Sequence, residues 1–364
     1  MNVLTCGERI VRCLAGQPTD RIPFGIGLGW SAWGQTLERW RAETNNPELN
    51  PALELGFDKS FAVPALNSGI FPFFEEQTIE EGQDYVVVRN GHGITMRQRR
   101  DGLSMPQFLD YPVKTPADWE KLKHERLTPE TPGRITEDWD MFRARLRETG
   151  ATVQVGCFPF GVFGTPRDLM GLEPLAVAFY EEPAMIRDMM NHLTSLWIDL
   201  WERVAAEVSI VHIHIWEDMS GKQGSLISPA MVRSFMMPCY ERVATFAKEN
   251  KIPLISVDTD GNCSELVPLM IEHGVNVFFP FEVQAGNDIR DYRRKYPELG
   301  IMFGLDKRVL AASKPDIDRE VEKAGEMVRL GRYIPGFDHL IPPDVPWHNF
   351  QYAAEHLREI CWKT

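Results

Sequence analysis

Two carboxylates set two residues apart, Asp258 and Asp260, close an apolar run at residues 252–257. Along an extended chain, residues i and i+2 project to the same side, so both acids face one space. Acids that share a space cannot both ionise freely. One of them is therefore a candidate general acid or base, or the pair supplies hard oxygen ligands for a divalent cation. The competing reading has Asp260, Gly261 and Asn262 form an Asx-type turn that caps the next helix. A second chemical stretch is residues 209–221, SIVHIHIWEDMSG. Its alternation places Val211, Ile213 and Ile215 on one side and His212, His214 and Trp216 on the other, and the run ends in Glu217 and Asp218. His212 reads as a hydrogen-bonded core histidine, whereas His214 sits nearer the acidic end and is a candidate site residue. The third group is His339, held between PGFD and LIPPD on a stiff loop, where an imidazole can exchange a proton near neutral pH.

These groups need elements that bring them together, and the chain offers alternating strands and helices. Residues 21–30, 56–65, 151–159, 209–221, 252–262, 275–282, 300–307 and 331–339 read as eight strands. From the third onward, helical stretches separate them, which predicts a parallel (β/α)8 barrel over residues 1–364 as one unit. In such barrels the working groups gather where the strands finish. The strand ends deliver Trp30, Cys157 and Phe158, Glu217 and Asp218, Asp258 and Asp260, Glu282, Asp306 and Lys307, and Asp338 and His339. This predicts an acidic mouth with Trp30, Phe158 and Trp216 as apolar walls. His214, Glu217, Asp218, Glu282, Lys307 and Asp338 are candidate substrate-binding groups. Asp258, Asp260 and His339 are the candidate catalytic ones. A metal set drawn from His214, Glu217, Asp258, Asp260 and His339 is a further candidate. A hairpin centred on Asn90 and Gly91 predicts a β excursion at about 82–110. Arg97, Arg99 and Arg100 on it read either as an anion site or as a charged edge. The stripe Ile186, Met189, Met190, Leu193, Trp197 and Leu200 marks a helix packed on the sheet.

Composition excludes some classes. A net charge of −13 argues against nucleic acid as a partner, and the chain contains no apolar run long enough to span a membrane. Six scattered cysteines without a CxxC pair argue against a disulfide framework and a zinc ribbon. The first residues lack a basic region followed by an apolar stretch, so a cytoplasmic protein is expected.

Residues 8–23 (ERIVRCLAGQPTDRIP), 226–229 (LISP), 260–262 (DGN) and 339–346 (HLIPPDVP) together resemble the uroporphyrinogen decarboxylase superfamily, which also contains methylcobalamin:coenzyme M methyltransferases. The resemblance covers nearly the whole chain. It implies a (β/α)8 barrel, commonly dimeric, with its cleft at the carboxyl ends of the strands. It also implies what is missing. The arginine-bearing stretch that holds the carboxylates of a porphyrinogen in the decarboxylases reads GLGWSAWG at residues 27–34, and the family's catalytic aspartate falls at about Ala65. The decarboxylases' tyrosine after the third strand has no counterpart at residues 158–165, whereas the late histidine is kept as His339. The soft zinc ligands of the coenzyme M methyltransferases fall at Asp258, Asp260 and Phe337 or Asp338. The expectation is a methyltransferase-like enzyme acting on a small molecule, with any corrinoid carried by a partner protein. Decarboxylation of a tetrapyrrole and a catalytically silent binding barrel are the alternatives.

Overall fold

The computed structural model describes residues 3–102, 105–156 and 160–363. In chain order the strands are β1 (Gln77–Glu81), β2 (Tyr85–Arg89), β3 (Thr95–Arg99), β4 (Gln107–Asp110), β5 (Val153–Gly156), β6 (Ile210–Trp216), β7 (Ser220–Gly221), β8 (Gly224–Ser225), β9 (Leu254–Asp258), β10 (Val277–Phe279), β11 (Gly300–Met302) and β12 (Tyr333–Ile334). Six of them hydrogen-bond side by side in the order β5-β6-β9-β10-β11-β12, every pair parallel. Parallel neighbours require crossovers, and helices such as Pro183–Glu207, Met237–Glu249 and Lys314–Leu330 provide them. The strands are buried on both faces, as a sheet covered by helices must be. The predicted stripe on Pro183–Glu207 is fully buried, and each such side chain contributes about 1.5–3 kcal/mol of apolar burial.

The first two expected strands form no ladder. Their segments join each other through a hydrogen bond from the Asp58 N–H to the Phe24 carbonyl, and join the ring through isolated contacts: a parallel bridge of Ala62 with Val153, a bridge of Ala32 with Ile341, and a hydrogen bond from the Phe337 N–H to the Gly29 carbonyl. The reason lies in residues 25–27. Gly25 and Gly27 have φ near +73° and +72°, and the Phe57 ring occupies the space a Cβ on Gly25 would need. Backbone in that region cannot continue a pleated strand. The helix Trp139–Thr149 is capped by Asp138, which accepts from the Met141 N–H.

The predicted hairpin is the centre of a four-stranded antiparallel sheet, β1-β2-β3-β4. Its turn is longer than an Asn-Gly pair: Arg89 opposes Thr95, Asn90 accepts from the N–H groups of His92 and Ile94, and Gly93 takes the positive φ. The three arginines are engaged locally. Arg99 pairs with Asp101, Arg100 with Glu81, and Arg97 lies over the Tyr85 ring. At the N-terminus, Thr5 and Glu8 form a capping box that opens the helix Cys6–Leu14. Buried Arg9 bridges that helix to Asp20 and Asp58.

Candidate functional site

The acid cluster forms where β6, β9 and β10 end. Parallel register sets Trp216 beside Asp258 and Asp258 beside Phe279. Two residues earlier, the Ser256 hydroxyl lies between two imidazoles, 2.7 Å from His212 Nε2 and 2.9 Å from His214 Nδ1. His214 stacks on the Phe279 ring, and its Nε2 is 4.0 Å from an Asp258 carboxylate oxygen. Burial lowers the pKa of both histidines, that of His214 to about 4, so both rings are neutral at neutral pH. Asp258 moves the other way. Burial pushes its carboxyl well above the ordinary range, and the charges of Asp260, Asp218 and Glu282 push further. Among the described residues, no cation and no hydrogen-bond donor reaches its oxygens within 3.5 Å. Asp258 is therefore a strand-end acid that holds its proton more tightly than an ordinary carboxyl.

Asp260 and His339 meet across the mouth, with His339 Nε2 3.5 Å from an Asp260 oxygen. The Asx turn belongs to Asn262, whose side chain accepts from the Ser264 N–H and hydroxyl, which leaves the Asp260 carboxylate to the histidine. Glu282 accepts from the Gly261 N–H at 3.0 Å and faces Lys307 Nζ at 3.6 Å. Three other expected site residues play different parts. Asp338 is buried and accepts from the backbone N–H groups of Val283 and Lys307, stapling two strand-end loops together, and burial raises its pKa. Glu217 is fully buried. Its carboxylate accepts from the N–H groups of Val162, Phe163 and Gly164 and from the Tyr240 hydroxyl, so it holds the loop after β5 instead of a ligand. Trp30 is a core residue. Its indole donates to the Pro335 carbonyl at 2.8 Å and packs edge-on against Phe24, Phe57 and Phe337. It lines a groove of about 820 Å³ between residues 25–32 and 57–63, where Asp58 is the acid and arginines already neutralise it. The strand-end cluster, unlike that groove, holds acids whose pKa values are raised. Phe158 and Cys157 lie outside the described residues.

The loop held by Glu217 brings in a cation that sequence reasoning missed. Gly161 and Gly164 press against the Trp216 carbonyl, where a Cβ would sit within 1.9 and 2.5 Å of the oxygen. That close approach sets Arg167 over the Trp216 ring at 5.0 Å and 2.6 Å from the Asp218 carboxylate. Asp218 itself adopts φ +41°. Behind it, burial raises the Asp168 carboxyl to about 6, with the Arg167 charge opposing and that of Asp218 adding to the rise. In the sequence, the glycines at 161 and 164 were the only signal of this close contact.

The family model for uroporphyrinogen decarboxylase (URO-D) matches residues 82–360. The chain belongs to that family. A methyltransferase from Methanosarcina mazei has a similar fold, with a TM-score of 0.61 at 16% sequence identity over 98% of this chain and 99% of that one. No curated protein sequence matches the chain. Membership in the uroporphyrinogen decarboxylase family agrees with the resemblance carried by residues 226–229, 260–262 and 339–346, which lie inside the matched span, and with the expected (β/α)8 fold. The five metal candidates do not assemble. Glu217 is committed to backbone and to Tyr240, His214 faces Asp258 while His339 faces Asp260, and among the described residues no three His, Cys, Asp or Glu side chains converge on one point. This donor set does not fit a resident metal. Among the described residues, no helix is long and apolar enough to cross a membrane.

Proposed function

We propose that this member of the uroporphyrinogen decarboxylase family transfers a methyl group from a small molecule, with Asp258 as the general acid at the mouth. The observation that carries the reading is the place of Asp258, largely buried beside His214 and set among acids that raise its pKa. Demethylation of an X–CH3 donor leaves its electron pair on X, and a proton delivered to X as the bond breaks makes HX the leaving group. Asp258 gives that proton, and the acceptor's electron pair forms the new bond to the methyl carbon. A corrinoid on a partner protein would supply that nucleophile. His339, paired with Asp260, returns a proton to Asp258 through the ligand or a water. The fold shared with a methyltransferase supports this reading.

Tetrapyrrole decarboxylation is the second reading, favoured by the family match. A multiply anionic substrate would meet Asp218, Asp258, Asp260 and Glu282, while Arg167 and Lys307 are each already faced by an acid. One experiment separates the readings. Purified protein is incubated with cob(I)alamin and a panel of methyl ethers, methylamines and methyl thioethers, and in parallel with uroporphyrinogen. The expected result is conversion to methylcobalamin with one donor class and its loss in Asp258→Asn. Coproporphyrinogen formation, or no methyl transfer from any class, overturns the proposal. If Asp258→Asn, Asp260→Asn and His339→Gln all leave the biological phenotype intact, the barrel is a binding protein.

A further inference from the structure

The Ser256 hydroxyl has one proton, yet it bridges two ring nitrogens, His212 Nε2 and His214 Nδ1. With both rings neutral, at most one of these nitrogens receives the serine proton, and the other must donate its own. Two continuous arrangements follow. In the first, His212 Nε2–H donates to Ser256 Oγ, Ser256 donates to His214 Nδ1, and His214 keeps its proton on Nε2. In the second, every bond is reversed, and the His212 proton moves to Nδ1.

The surroundings of His212 discriminate between them. Its Nδ1 is buried without a hydrogen-bond partner, and the Phe61 ring packed against it, with centroids 4.5 Å apart, offers no lone pair. The second arrangement would bury an orphaned N–H there, the rarest defect in folded proteins. The first leaves a bare ring nitrogen, and it turns His214 Nε2–H toward Asp258 at 4.0 Å. A third arrangement, in which both rings donate, would orphan the proton of a serine that is fully buried.

We propose that Ser256 and His212 are positioning residues that lock His214 as an N–H donor at the mouth, so that the ligand atom seated between His214 and Asp258 carries a lone pair and accepts from it. The substrate class is then a neutral methyl donor whose departing atom carries a lone pair, such as a methyl ether, and not a methylammonium, whose nitrogen has none to offer. This deepens the methyl-transfer reading and rests on it for the substrate. The tautomer itself does not, because it is read on ligand-free protein.

The test is long-range 15N–1H correlation NMR of histidine-labelled full-length protein at neutral pH. Wild type is expected to show a protonated Nε2 and a bare Nδ1 in both His212 and His214. Ser256→Ala should release His214 into a mixture of tautomers, and Ser256→Thr should restore the single one. If the alanine variant does not fold, the wild-type spectrum alone decides. A protonated Nδ1 or an imidazolium in either ring overturns the proposal, as does an unchanged His214 in folded Ser256→Ala. Titration with methoxybenzene should shift the His214 Nε2 resonance, with affinity weakened about tenfold in Ser256→Ala. A response to tetramethylammonium alone, or to neither probe, removes the lone-pair-acceptor assignment while leaving methyl transfer open to the donor panel.

Discussion

Asp58 and Asp258 are the same residue type, similarly hidden, with side chains 5% and 15% exposed, yet their carboxyls are pushed in opposite directions. Burial raises both. At Asp58 it is outweighed by two hydrogen bonds from Arg21 at 2.6 Å, one from the Phe24 N–H, and the charges of Arg21 and Arg9, so that carboxyl lies below its ordinary range. At Asp258 no arginine answers, and three more acids add to the upward push. The difference teaches where this fold puts its charge. Cations gather at the N-terminal segment, where they lock the helix Cys6–Leu14 and the first extended segment to the ring. At the strand ends Arg167 and Lys307 face Asp218 and Glu282 instead, which leaves Asp258 without a cation partner among the described residues.

The comparison breaks first under mutation. Asp58→Asn strands Arg21 and Arg9 over a group that no longer carries charge, and should lower unfolding free energy by about 3–5 kcal/mol in urea denaturation. Asp258→Asn replaces a neutral acid with a neutral amide of the same shape. Its stability should stay within about 1 kcal/mol of wild type, while turnover of the methyl donor falls by about 10²–10⁴. If Asp258→Asn costs as much stability as Asp58→Asn, then Asp258 is ionised and paired, and its role as an acid is lost.

Much of the second half of the molecule was legible in sequence. The alternation at 210–216 named β6, the spacing of Asp258 and Asp260 put both on one strand end, and His339 fell within reach of Asp260. What could not be read is instructive. Glu217 and Asp258 look alike in sequence, each an acid closing an apolar strand. Only the approach of residues 162–164, from another loop, commits Glu217 to backbone donors and leaves Asp258 without one. Ser256 inside an apolar run carries no signature, since its role depends on two imidazoles of the neighbouring strand. Residues 21–30 looked like a strand because apolar alternation is blind to φ, and Gly25 and Gly27 turn the backbone where the pattern would continue it.

Acidity sharpens the contrast. His214 has a pKa lowered by burial to about 4, against 6.5 for an ordinary imidazole, so between those values the unfolded chain binds more protons than the folded one. Stability is therefore complete above pH 6.5 and falls as pH drops toward 4, by about 3 kcal/mol from this group. Asp258 has a raised pKa, so above its ordinary value of 3.8 the folded state holds the extra proton, and its contribution declines as pH rises through the same window. The two slopes oppose each other. Asp258→Asn removes one of them, and urea midpoints measured from pH 4.5 to 6.5 should then climb more steeply in the variant than in wild type. Parallel slopes would mean that Asp258 titrates like an exposed acid.

The smallest effect tests Trp30, which separates the core under the N-terminal segment from the mouth. Trp30→Phe keeps an aromatic ring among Phe24, Phe57 and Phe337 and removes only the indole N–H, leaving the Pro335 carbonyl without its donor. Losing one buried hydrogen bond of this kind costs about 1–2 kcal/mol. Because the ring faces that aromatic core and the groove beside it, KM for the methyl donor should not change. A severalfold rise in KM with unchanged stability would instead place Trp30 on the wall of the mouth, and would mean that the two regions share a boundary the contacts of Trp30 do not suggest.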